Sequence, residues 1–144
     1  MEATKSETHP DVIRGQQGNG RRVTVVNDNP DFLALMEDVL TADRYAVTVI
    51  DGDHISSTAP IVASKPELLI IDLRLASDGL KGWDLLIEAI GSGAFDDVPI
   101  IICTAAISEV RERAESIAEL PNVEVLTKPF DLVELEALLG KLLV

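Results

Sequence analysis

Polar side chains that could take part in phosphoryl chemistry stand directly after several short apolar runs of this sequence. Residues 68–71 are Leu-Leu-Ile-Ile, and the acid Asp72 follows them before a polar loop. A continuous apolar run of this length is typical of a strand buried on both faces of a parallel sheet. The polar residues that follow other apolar runs are Asn27, Asp28, Thr104 and Lys128. Because parallel strands end at one edge of their sheet, we expect these side chains to lie together.

The residue types in this set fit the transfer of a phosphoryl group. Two carboxylates side by side repel, and a hard divalent cation such as Mg²⁺ relieves the repulsion by taking oxygen ligands from both. A carboxylate can also attack a phosphoryl group and form an aspartyl phosphate. Magnesium would then bind one phosphoryl oxygen, Lys128 a second and the Thr104 hydroxyl a third. Taken singly, Asp72 as a loop cap, Thr104 as a strand-end hydroxyl and Lys128 as a solvated side chain are simpler interpretations.

The elements that would position these residues follow from the spacing of the apolar side chains. The spacing predicts strands at 22–27, 45–50, 68–72, 99–103 and 123–127. It predicts helices at about 30–42, 83–90, 107–119 and 131–143, the last with Asp131 as its N-cap. The segment 52–65 is interpreted as a short helix interrupted by Pro60. This alternation predicts an α/β fold with a doubly wound, five-stranded parallel sheet in the order 2-1-3-4-5.

The composition limits the classes of function. The chain has 144 residues, of which 47% are hydrophobic, enough for a single domain with one substantial core. A net charge of −13 argues against a nucleic-acid binder, because contacts to phosphates need Lys and Arg. The N-terminus lacks an apolar signal core and no apolar run approaches the length of a membrane span. We therefore expect a cytoplasmic protein without a membrane partner.

The first residues and the single cysteine are not expected to carry chemistry. Residues 1–20 are polar, include three glycines and have little to bury, so we predict a flexible arm before a domain at 21–144. Cys103 lies in the apolar run 98–103, and the chain has no second cysteine with which it could form a disulfide. We interpret Cys103 as a core side chain.

Four blocks of the sequence resemble the signature blocks of two-component response-regulator receiver domains. They are Val-Val-Asn-Asp-Asn-Pro at 25–30, Ile-Asp-Leu at 71–73, Pro-Ile-Ile-Ile-Cys-Thr-Ala at 99–105 and Leu-Thr-Lys-Pro-Phe at 126–130. Their order and spacing match across residues 21–144. The resemblance implies the flavodoxin-like, CheY-like form of the predicted fold.

The resemblance also implies a role for each candidate residue. It implies that Asp72 is the phosphoacceptor and that Asp28 and Asp72 are magnesium ligands, together with the backbone carbonyl of Arg74. It further implies that Thr104 is the switch hydroxyl and that Lys128 pairs with the phosphate and precedes a cis bond to Pro129.

Among the departures from the pattern of the family, those at Asn27 and Val125 bear on metal binding and on the switch. Receiver domains usually have an acidic pair in the first loop, and here the first position is Asn27. An amide can hold a metal-bound water but brings no charge, so we expect weaker Mg²⁺ binding than usual. The position three before Lys128 is commonly Tyr or Phe in the family and here is Val125. A signal would therefore have to pass through Thr104 and through shifts of loops or helices.

Three classes of function remain open on the sequence alone. The first is a stand-alone receiver, a monomer or weak homodimer without an output domain. A histidine kinase or phosphotransfer protein would phosphorylate it, and it would then bind a separate protein target. The second is a degenerate receiver that binds a protein without phosphate, which Asn27 and Val125 favour. The third is a phosphatase of the haloacid-dehalogenase type, which normally has a second Asp where Arg74 stands here.

Overall fold

The computed structural model describes residues 13–15, 20–75 and 81–143, which form one sheet with helices on both faces. The strands are β1 (Ile13–Gly15), β2 (Arg22–Asn27), β3 (Ala46–Asp51), β4 (Leu68–Ile71), β5 (Ile100–Thr104) and β6 (Val123–Thr127). The helices are α1 (Pro30–Ala42), α2 (Ala59–Ala63), α3 (Lys81–Gly91), α4 (Ile107–Glu112), α5 (Ala114–Glu119) and α6 (Leu132–Leu142). None of the described helices is both long and apolar enough to cross a membrane.

The five predicted strands, β2 to β6, form a parallel sheet, and its predicted order 2-1-3-4-5 is confirmed. The structure adds one strand that the sequence analysis did not predict. Residues Ile13–Gly15 pair antiparallel with β3, so that Ile13 lies opposite Ile50. These three residues belong to the predicted flexible arm at 1–20, and the rest of that arm except residue 20 lies outside the described residues. The boundary between arm and domain stays a prediction.

The sheet separates two hydrophobic clusters, and the alternation of side chains along β4 shows why both faces are buried. Leu69 and Ile71 pack into the cluster under α2, α3 and α5, whereas Leu68 and Ile70 pack into the cluster under α1 and α6. All four side chains of this strand are buried. Cys103 is 1% exposed in the second cluster, which confirms its interpretation as a core side chain.

Two helix predictions need correction, and one helix start is confirmed. The helix predicted at 107–119 is two helices, because the chain turns at Arg113 between α4 and α5. Pro60 does not interrupt the helix in 52–65; it lies in the first turn of α2, where its missing N–H has no helical partner to lose. Asp131 caps α6 and forms a capping box with Glu134.

The second residue of α3 is a glycine because this helix approaches the backbone beside Asp72 very closely. A Cβ atom at Gly82 would lie 1.8 Å from the backbone oxygen of Asp72, well inside van der Waals contact. The amide of Trp83 also donates a hydrogen bond to the backbone oxygen of Leu73 at 3.2 Å. The start of α3 therefore supports the segment that carries Asp72.

We expect Gly82→Ala to lower the free energy of unfolding by about 1–3 kcal/mol, because the new methyl group would force α3 away from residue 72. The matched control is Gly91→Ala at the end of the same helix, where an added Cβ meets nothing within 4 Å. It should be neutral or stabilising by up to about 1 kcal/mol, since Ala favours a helix more than Gly does. Urea unfolding of both variants measures the difference. Equal stabilities would contradict the close approach.

Candidate functional site

The candidate residues meet at the carboxyl edge of the sheet, as the sequence analysis expected. Strands β2 and β5 end at Asn27 and Thr104, while Asp72 and Lys128 directly follow β4 and β6. An open cleft of about 520 Å³ lies along this edge. Its lining residues are Asp28, Asp72, Arg74, Thr104, Ala105 and Ala106.

The carboxylate of Asp72 accepts hydrogen bonds from three groups of the site. Its Oδ2 atom accepts a hydrogen bond from Lys128 Nζ at 3.0 Å and a longer one from Asn27 Nδ2 at 3.4 Å. Its Oδ1 atom accepts one from the backbone N–H of Arg74 at 3.1 Å. The residue is only 8% exposed, and a buried carboxylate requires this kind of compensation to remain charged.

Lys128 lies between a carboxylate and an aromatic ring. Besides its ion pair with Asp72, its ammonium stands 4.5 Å from the centroid of the Phe32 ring. Phe32 in turn contacts Phe130 edge to face, with ring centroids 6.4 Å apart. The bond between Lys128 and Pro129 is cis, which confirms that prediction. The backbone N–H of Lys128 donates to the backbone oxygen of Thr104, which ties the ends of β5 and β6 together.

The Thr104 hydroxyl is oriented by the loop that follows it. The side chain is 1% exposed, and its Oγ1 atom accepts a hydrogen bond from the backbone N–H of Ala106 at 3.1 Å. This contact uses a lone pair of the hydroxyl and leaves its proton for another acceptor. The neighbouring Cys103 thiol is not reactive, because burial raises its pKa to about 12.

An ion pair across the cleft connects Arg74 to α4. The Arg74 guanidinium donates to the Glu109 carboxylate in the first turn of that helix. This hydrogen bond lowers the pKa of Glu109 below its usual value. A second contact ties the same region to α3, where the Arg113 guanidinium lies 5.5 Å from the centroid of the Trp83 ring. Helix α4 itself contains no buried residue, so these contacts matter for its position.

The donor atoms at the cleft fit a magnesium ion with few protein ligands. Asp28 and Asp72 offer carboxylate oxygens at an open cleft, and Mg²⁺ usually takes one or two carboxylates and keeps several waters. Within the described ranges, no group of three or more His, Cys, Asp or Glu side chains could hold a metal. Asn27 stands where a third acid would be, and its Oδ1 atom accepts from the Asn29 backbone N–H at 2.9 Å.

A sequence model of the response regulator receiver domain matches residues 23–140. This chain belongs to that family. The family consists of signalling domains that exchange phosphoryl groups with histidine kinases or phosphotransfer proteins, and not of enzymes that turn over metabolites. The haloacid-dehalogenase alternative is therefore set aside.

Receiver sequences in longer proteins are similar to this one. The transcriptional regulatory protein BaeR of Escherichia coli is 36% identical over 93 residues, which cover 64% of this chain and 36% of BaeR. The sensor histidine kinase TmoS of Ectopseudomonas mendocina is 28% identical over 127 residues, which cover 88% of this chain and 12% of TmoS. The chain spans between 9% and 46% of the lengths of the curated relatives described by these comparisons.

Solved receiver domains have the same fold. The receiver domain of the sensor histidine kinase PA1611 from Pseudomonas aeruginosa is 28% identical, with a TM-score of 0.66 over 85% of this chain and 96% of the other. That structure has a magnesium ion coordinated in its active site cleft. The chemotaxis response regulator CheY4 of Vibrio cholerae, at 18% identity, shares the fold with a TM-score of 0.71 over 86% of this chain and 99% of CheY4.

Two residues of this receiver domain, Phe32 and Glu109, make contacts that the sequence analysis did not predict. Phe32 has the spacing of a core side chain of α1, and nothing in the sequence indicated that its ring would also face Lys128. Glu109 belongs to a run of charges typical of a solvated helix face. Both residues lie in the first turn of a helix that follows a strand end of the site, and this placement is the signal that could have indicated their contacts.

We expect Asn27→Asp to bind Mg²⁺ more tightly, on the order of tenfold, because it adds a charge beside Asp72. In wild type the Asn27 amide donates to the Asp72 carboxylate, whereas an acid there would repel it until a cation binds. Titration of Mg²⁺ into both proteins, followed by the fluorescence of Trp83 or by calorimetry, measures the two dissociation constants.

The control for the added charge is Asn29→Asp, two residues away in the same loop. Asn29 uses its side chain to cap α1 and does not hydrogen-bond to Asp72, so the control should change the affinity less. Equal affinities of wild type and Asn27→Asp would show that position 27 does not limit metal binding.

Proposed function

We propose that this receiver domain is a phosphorylatable switch. A histidine kinase or phosphotransfer protein transfers a phosphoryl group to Asp72 in a Mg²⁺-dependent reaction, and the product binds a protein partner differently. The observation that carries this proposal is the Asp72 carboxylate, which lies at a cleft shared with Asp28 and Thr104 and is paired with Lys128 at 3.0 Å. The curated relatives are longer proteins. The expectation that this receiver acts without an output domain of its own therefore stays a prediction.

The transfer forms one bond and breaks one. An oxygen of Asp72 bonds to phosphorus as the bond from phosphorus to the donor breaks, and the leaving group keeps that electron pair. Asp28, Asp72 and the backbone carbonyl of Arg74 would hold Mg²⁺, with Asn27 contacting one of its waters. When bound, the ion would neutralise charge on the phosphoryl oxygens. Lys128, already 3.0 Å from Asp72, pairs with a second oxygen, and the Thr104 hydroxyl donates its proton to a third.

The conformational signal would leave the site through α4. In the resting protein, Thr104 Oγ1 accepts a hydrogen bond from the backbone N–H of Ala106. When Thr104 turns its hydroxyl towards a phosphoryl oxygen, Oγ1 must move relative to this N–H, so the loop before α4 moves with it. Helix α4 contains no fully buried residue, and its Val110 is only partly buried where it packs against the core, so a shift of this helix would disturb few buried contacts. This route needs no aromatic side chain at position 125, where Val125 packs against the core.

One observation favours a second candidate, the degenerate receiver that binds its partner without phosphate. The Asn27 amide donates to Asp72 and so satisfies part of the carboxylate in the resting protein without any cation. A domain in which protein donors alone stabilise this carboxylate would keep one conformation. The first test below separates the two candidates.

We expect wild type to gain one phosphoryl group on incubation with acetyl phosphate and Mg²⁺, because Asp72 is positioned as the nucleophile. Asp72→Asn should gain none, since an amide cannot form the acylphosphate. Intact-mass spectrometry measures both, and EDTA added beforehand should prevent the gain. If wild type stays unmodified while a control receiver is phosphorylated, the degenerate receiver is the correct function. A gain that persists in Asp72→Asn would place the phosphoacceptor elsewhere.

The Arg74–Glu109 ion pair gives a second test, of the route through α4. We expect Glu109→Gln to speed amide hydrogen exchange at 107–112 by about two- to fivefold in the resting protein, since an exposed ion pair contributes modestly. The control is Glu112→Gln on the same helix, whose ion pair is with the neighbouring residue Arg113 and does not reach the cleft. Hydrogen exchange followed by mass spectrometry compares them. Identical exchange in the two variants would mean that the ion pair does not hold α4.

A further inference from the structure

We propose that Phe32 is a positioning residue for the proposed phosphorylation chemistry, because the face of its ring sets where the Lys128 ammonium stands. The expected effect on phosphorylation rests on the proposed function, whereas the position of the Phe32 ring beside Lys128 does not. The ammonium lies 4.5 Å from the ring centroid, within the range in which a cation is attracted to the negative face of an aromatic ring. The same ammonium is 3.0 Å from Asp72 Oδ2, so it is held from two sides.

The surroundings of Lys128 make the aromatic contact stronger than one on an open surface. Its side chain is 25% exposed and that of Asp72 is 11% exposed, so the ammonium has lost part of its water. A cation–π attraction grows as the cation is desolvated. The ring therefore replaces some of the hydration that the ammonium has given up.

The ring itself is fixed from two directions. Phe130 contacts it edge to face at an interplanar angle of 85°. The backbone N–H of Phe32 donates to the Asn29 side chain at 3.0 Å, and the backbone N–H of Asn29 donates to the Asn27 side chain at 2.9 Å. Since the Asn27 amide also donates to Asp72, Phe32 is linked to the reacting carboxylate through Lys128 and, independently, through its own helix start.

The need for such a positioning group follows from the nature of lysine. Its ammonium is a point charge on a flexible stem of four carbons, and it has no fixed fork that would orient it towards a phosphoryl oxygen. Once Asp72 carries a phosphoryl group, the negative charge lies farther out in the cleft and the ammonium must follow it. The Phe32 face keeps the ammonium beside the cleft during this shift, whereas an aliphatic side chain would fill the same space without attracting a cation.

The functional test separates the ring face from the packing of the side chain. We expect Phe32→Leu to slow phosphorylation by acetyl phosphate about three- to tenfold, as the loss of a partly desolvated cation–π contact implies. Phe32→Tyr keeps the ring face and should stay near wild type. In the background of Lys128→Ala, Phe32→Leu should cause no further loss, because its effect passes through Lys128. Rates are taken from the increase of the phosphorylated species in intact-mass spectra, at equal thermal stability.

Two results of this test would overturn the inference. One is a loss in Phe32→Leu that is equally large with and without Lys128, which would indicate packing alone. The other is a Phe32→Tyr variant as slow as Phe32→Leu.

A measurement on the resting protein keeps the inference distinct from the proposed function. Protons on the carbon next to the Lys128 ammonium should be shifted upfield in the NMR spectrum by the Phe32 ring, and the shift should vanish in Phe32→Leu and persist in Phe32→Tyr. The signal is assigned by its loss in Lys128→Ala. An absent upfield shift in wild type refutes the placement of Lys128. If the shift is present but no phosphorylation occurs, the placement stands and the proposed function fails.

Discussion

The rest of the site depends on a nearly buried carboxylate at the end of the central strand. Asp72 is 8% exposed, and an ionised carboxylate at such a position is unfavourable unless other groups replace its water. Three donors do so: the Lys128 ammonium, the Arg74 backbone N–H and the Asn27 amide. The Arg74 N–H is a local contact two residues after Asp72, whereas Asn27 and Lys128 come from the ends of β2 and β6. The fold must therefore bring these two strand ends beside β4 before the carboxylate is fully stabilised.

The neutral side chain at position 27 changes the balance of charge around this carboxylate. In a loop with two acids, the repulsion between carboxylates would favour the binding of a cation. Here Asn27 donates to Asp72, and Lys128 already supplies one positive charge. Magnesium bound by Asp28 and Asp72 would therefore have to compete with Asn27 and Lys128 for the carboxylate of Asp72. Groups of the protein itself stabilise the Asp72 carboxylate in the resting state. A change in the position of Lys128 would therefore alter this carboxylate strongly.

The sequence could predict the position of Asp72, Thr104 and Lys128 because each follows a short apolar run, and parallel strands end at a common edge. It could not predict features that depend on tertiary contacts. Strand β1 is only three residues long and forms by pairing with β3. The turn at Arg113 separates α4 from α5, but the apolar residues on either side keep almost the same helical spacing. The Phe32 ring has the spacing of a core side chain of α1, and spacing along a helix does not show which cation lies across its face.

The two sides of the cleft differ in how firmly they are held. This difference explains how phosphorylation of Asp72 could be precisely positioned and also cause a movement elsewhere in the domain. On the side of Lys128, the aromatic pair of Phe32 and Phe130 and the capped start of α1 restrict the ammonium to a small region. On the side of Thr104, α4 has no buried residue, and an exposed ion pair to Arg74 links it to the cleft. A shift of the reacting groups meets resistance on the first side and little on the second. In the proposed function, the movement that follows phosphorylation would therefore be directed towards α4, and it would not require an aromatic switch at Val125.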